Sequence, residues 1–140
     1  MENVALFNRL VQDYADASIE MAEAARKLAE ARGELYLTKR IKAEAESAVE
    51  LYRARLILRE MGEGGCINGR NADVRELQVT DLVARHEVED KALVELRQKL
   101  VEAEVAMNEA TIQHDNFLDR LTVARNKARM IAGLGEALGG

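Results

Sequence analysis

A single glycine-rich break constrains this chain more than any other feature. Four of the nine glycines fall within residues 59–71, R-E-M-G-E-G-G-C-I-N-G-R-N, and the chain has no proline. Proline is the residue that most forcibly ends a helix. The charged, alanine-rich segments on either side can therefore each run as one long helix, and the break reads as the turn between them. Gly62 suits a left-handed helix C-cap. Gly64, Gly65, Asn68 and Gly69 tolerate positive φ. Asn71 is placed to cap the helix that follows.

Both flanking segments carry a heptad repeat. Before the turn, position a reads Phe7, Tyr14, Met21, Leu28, Leu35, Lys42, Val49, Leu56, and position d reads Leu10, Ala17, Ala24, Ala31, Thr38, Ala45, Tyr52. After it, a reads Val79, His86, Leu93, Leu100, Met107, His114, Leu121, Ala128, and d reads Leu82, Glu89, Leu96, Ala103, Ala110, Phe117, Ala124, Ile131. Neither series stutters. Gly33 lies on the outer face and can mark a bend without ending its helix. The expected fold is all-α: a long antiparallel coiled-coil helical hairpin. Its first arm would span 3–61, its turn 62–71 and its second arm 72–132, with a frayed tail at 133–140, all in one domain of residues 1–140.

Composition agrees. Two Phe, three Tyr and no Trp are too few large side chains to fill a globular core. The net charge of −5 argues against a surface that coats nucleic acid along its whole length. A lone cysteine cannot form an intramolecular disulfide, which points to a reducing compartment. The N-terminal stretch M-E-N-V-A-L-F-N-R-L has no signal-peptide pattern, and no apolar run approaches membrane-spanning length. A soluble, cytoplasmic protein is expected.

In an antiparallel pair, facing residue numbers add to a constant, and these series allow 124, 131 or 138. A sum of 131 sets Lys42 opposite Glu89, Ala24 by Met107, Ala45 by His86 and Ala17 by His114. It lays large residues against small ones and centres the turn near Gly65 and Cys66. It also lays the acidic first 25 residues beside Arg120, Arg125, Lys127 and Arg129. Lys42 and Glu89 would then form a buried register-fixing pair. A further apolar stripe on the outer faces includes Tyr36, Ile57, Val94, Val101, Val105 and Ile112. A hairpin with a single seam would keep these positions polar, so self-association into a four-helix or larger bundle is expected.

Candidates for chemistry are few. His86 and His114 lie about 42 Å apart along a continuous helix and cannot share a metal within one chain. Their ordinary role is to fill space over an alanine; a metal held between subunits by His114 with Asp13 or Asp115 is a lesser alternative. Cys66 has no histidine near it to activate a thiolate and reads as a plain exposed thiol. Nothing suggests a triad, a cofactor site or a small-molecule pocket, so an enzyme is not expected. Arg53, Arg55, Arg59, Arg70 and Arg75 converge on the turn, with Asn68, Asn71 and the opening amides of the second arm as further donors. Such a tip can hold phosphates or a partner protein, although Glu60, Glu63, Asp73 and Glu76 dilute its field, and a solvated turn is the plain alternative.

The turn segment I-N-G-R-N-A-D-V-R, residues 67–75, resembles the hinge I-x-G-[KR]-N-A-[ED]-x-R of small helical proteins encoded by phages and prophages. The resemblance covers under a fifth of the chain. It implies an accessory role in DNA replication or recombination. The expected function is then a non-enzymatic homo-oligomer that touches single-stranded DNA or a DNA-metabolism protein through its tip. The alternative is a structural or chaperone-like adaptor or assembly factor that binds no nucleic acid.

Overall fold

The computed structural model describes residues 2–139, and these are all-helical, with no strand among them. Helix α1 is Glu2–Glu60, α2 is Ala72–Glu89 and α3 is Lys91–Gly139. α1 passes through Gly33 without interruption, and a Cβ there would meet nothing within 4 Å. The residues group into two compact units: those up to Leu37 with those from Asn108 onward, and Thr38–Met107.

In the first unit α1 packs against α3, and its core is mostly alanine. Ala17, Ala24, Leu28 and Ala31 are buried on α1, and Ala110, Leu121, Ala124 and Ala128 on α3. Small side chains let helix axes approach closely. Ala24, Leu28 and Leu121 form one cluster, with Met21 and Phe117 packed against it. Arg120 lies 5.4 Å from the Phe117 ring centroid. Lys127 reaches Glu20 at 3.5 Å, a half-exposed pair that contributes little.

The second unit packs α1 against α2 and the start of α3. Leu56, Ile67 and Leu82 form its best-defined cluster, with Ile57 and Val79 alongside. Leu82 and Leu93 are the largest fully buried side chains. Burying each contributes roughly 1.5–3 kcal/mol.

Every buried helical residue, the polar Thr38 included, occupies an a or d position of the heptad series. The face that each helix turns inward is therefore the one its periodicity specifies. The expected axial register is not realised. Ala24 packs with Leu121 rather than beside Met107. Leu56 packs with Leu82, where a sum of 131 would have put Arg75. The expected Lys42–Glu89 pair is replaced by a pair within α1: Lys42 Nζ lies 3.6 Å from Glu46 on the next turn, and Glu89 is exposed. A neighbour four residues on satisfies a lysine ammonium without a cross-helix partner.

Two further expectations are corrected. The second arm is two helices, broken at Asp90, whose backbone is extended (φ −84°, ψ 105°). The tail is helical through Gly139. Ile131, Ala132, Gly135 and Glu136 line a shallow groove with Phe7, Leu10, Val11 and Tyr14 of α1.

Candidate contact site at the 61–71 loop

The loop folds back on itself instead of crossing straight between helices. Gly62 and Gly64 take positive φ, 96° and 84°, which only glycine adopts without strain. Ile67 N–H donates to Glu60 O at 2.9 Å, Gly62 N–H to Ile67 O at 3.3 Å and Gly65 N–H to Gly62 O at 3.3 Å. This doubling back buries Ile67 against Leu56 and Leu82. Gly65 is required for a different reason: a Cβ there would sit 2.1 Å from Glu60 O.

Gln78, in the second turn of α2, holds the far side. Its Oε1 accepts from Asn68 N–H at 3.0 Å and Gly69 N–H at 2.9 Å, and its Nε2 donates to Asn68 Oδ1 at 3.2 Å. Sequence reasoning passed over Gln78. Its only signal was a long amide side chain one turn above a glycine–asparagine turn. The loop thus lies along the opening turns of α2. The turn is therefore asymmetric, and centring the register on Gly65 and Cys66 misplaced it.

The tip residues divide into two groups. Asn71 caps α2, its Oδ1 accepting from Val74 N–H at 2.9 Å. Asn68 also donates through Nδ2 to Gly65 O at 3.1 Å. Arg75 Nη1 donates to Gly69 O at 3.3 Å. Arg53 pairs with Glu87, which also lies 3.7 Å from Arg97, and Arg53 Nε is buried without a partner. These four side chains hold the fold. Arg55, Arg59 and Arg70 are exposed and enter no ion pair or hydrogen bond among the described residues, so they are the cations available to a partner. Glu60 turns one carboxylate oxygen to Cys66 N–H at 3.2 Å, which leaves Glu63, Asp73 and Glu76 as the exposed acids nearby. Cys66 is free and exposed.

Tyr52, Arg55, Leu56 and Arg59 line a small recess on α1. The Tyr52 hydroxyl donates to Asp90, and this bond, more than its partial burial, raises the Tyr52 pKa. The same bond, followed by that from His86, lowers the Asp90 carboxyl below its usual value. His86 Nδ1 lies 3.1 Å from Asp90 Oδ2, and His114 Nδ1 3.1 Å from Asp115 Oδ1. Among the described residues no group of three His, Cys, Asp or Glu side chains could hold a metal. None of the described helices is long and apolar enough to cross a membrane.

Comparison with protein-family models, curated proteins and solved structures finds no match to this chain.

Proposed function

We propose that this chain is a non-enzymatic, self-assembling helical hairpin, seamed like a coiled coil, that serves as an accessory factor in phage-type DNA recombination or replication. Its outer faces assemble copies into a four-helix or larger bundle. Its loop ends then meet single-stranded DNA or a partner protein. The observation that carries the assembly is the outer stripe: Tyr36, Val101, Val105 and Ile112 are each at least half exposed while the inward face is mostly alanine. Apolar side chains repeated on the outer face of a helix suit a surface that is covered in use.

Arg55, Arg59 and Arg70 support the anionic contact, since each is exposed and makes no ion pair or hydrogen bond among the described residues. Repetition of these tips in an oligomer would multiply a weak single contact. A labelled single-stranded oligonucleotide should shift at low salt, with affinity falling steeply as salt rises. Replacing all three arginines by alanine should abolish the shift and leave helicity unchanged. No shift with the wild-type protein at low salt would reject the DNA contact.

The exposed acids beside the tip favour a second reading, a structural or chaperone-like adaptor that binds no nucleic acid. There Val94, Val101, Leu134 and Leu138, all exposed, would take a partner polypeptide. The same oligonucleotide experiment separates the two readings.

A further inference from the structure

The break at Asp90 has no covalent cause. No proline or glycine lies between Ala72 and Ala132, and the a and d series run through the break without a skip. Helical hydrogen bonding continues on either side of it. Asp90 N–H donates to His86 O at 2.9 Å, and Val94 N–H donates to Asp90 O at 2.9 Å. In an unbroken helix Ala92 and Leu93 would donate to Val88 and Glu89 carbonyls. Here both donate to Asp90 Oδ1, at 3.1 and 3.4 Å. The other oxygen, Oδ2, takes the Tyr52 hydroxyl from α1 and faces His86 Nδ1 from α2. One carboxylate therefore replaces two helical bonds and ties the joint to a neighbouring helix.

We propose that Asp90 is a latch, and that releasing it lets α2 and α3 fuse into one continuous helix. The joint is then a two-state element whose balance is set by the Asp90 contacts. It is coupled to the loop, because α2 carries His86 near one end and Gln78 and the Asn71 cap at the other. A ligand or partner that takes Tyr52 or Asp90 would shift the joint and, through α2, the loop it holds.

The test is a pair distance across the joint in the full chain. Spin labels are placed at exposed Thr80 and Gln98 in a Cys66→Ser background. A continuous helix separates these positions by about 27 Å along its axis, and the extended backbone at Asp90 takes the broken form off that value. Asp90→Ala, which removes the latch and supplies a strong helix former, should move the distribution to the continuous-helix value. Amide exchange at Ala92 and Leu93 should remain slow, because helical carbonyls replace the lost carboxylate. Tyr52→Phe, which keeps the cap and cuts only the tie to α1, should populate both distances. An unchanged distance in both variants, or fast exchange at Ala92 and Leu93 in Asp90→Ala with no continuous-helix distance, would overturn the proposal. Should Asp90→Ala fail to fold, the Tyr52→Phe distribution decides alone: two distances support the latch, and the wild-type distance alone refutes it.

Discussion

At the scale of single residues, Asp90 and the loop glycines carry more of the structure than their exposure suggests. The Asp90 carboxylate is stabilised by the Tyr52 hydroxyl, by His86 and by two α3 amides, so its folded pKa lies below the unfolded value. Such a group contributes stability above its unfolded pKa and loses that contribution as pH falls through the folded one. Around the joint, Arg53 and Arg97 both reach Glu87, Arg59 acts on Tyr52, and Glu89 and Lys91 flank Asp90 in the chain. In urea titrations across acid pH, Asp90→Asn should flatten the acid limb relative to wild type; a parallel limb would show that the carboxylate is not responsible. Gly65→Ala should destabilise by about 1–3 kcal/mol through its clash with Glu60 O. Gly33→Ala meets nothing and should stabilise by roughly 0.5–1 kcal/mol. Urea midpoints at one protein concentration check both, and similar effects at the two sites would be inconsistent with the packing described.

At the scale of elements, sequence and structure agree on what faces inward and differ on what lies level with what. Periodicity sets the azimuth of a side chain about its helix, and every buried helical residue obeys it. Axial alignment is degenerate in steps of a heptad, because sliding by seven returns the same faces to contact. Breaking that degeneracy needs the geometry of the turn and the identity of charged partners. Both were misjudged, for local reasons: Ile67 draws the loop back onto Leu56, and Lys42 finds Glu46 on its own helix. The Asp90 break was illegible because lysine, alanine and leucine after it are all good helix formers, and the contact that favours it comes from Tyr52, far away in sequence. The capping role of Asn71 was readable, since it depends only on the residues just after it. Of the candidate tip residues, sequence could gather the arginines at the loop but could not separate Arg55, Arg59 and Arg70 from those that hold the fold. Leu82→Ala should cost about 2–5 kcal/mol, because it empties a fully buried site at the centre of the loop cluster. It should also speed amide exchange at Ile67 and Gly69. Loss of stability without faster loop exchange would mean that the loop is anchored elsewhere.

At the scale of the whole molecule, the distribution of side-chain size is the informative feature. Alanines fill much of the inner seam, while Val, Ile, Leu and Tyr stand in solvent along α1 and α3. Two helices that contact mainly through alanine bury little apolar area per residue, and the proposed association of copies would supply stability that the single chain lacks. Apparent stability should accordingly rise with protein concentration. Ile112→Glu with Val105→Glu, at exposed positions of α3, should weaken assembly without unfolding an isolated helix. The most direct measurement is sedimentation equilibrium of the wild-type chain at tens of micromolar. The proposed assembly predicts a mass of at least twice the 15.6 kDa chain. A stable, fully helical species of one chain's mass would contradict it.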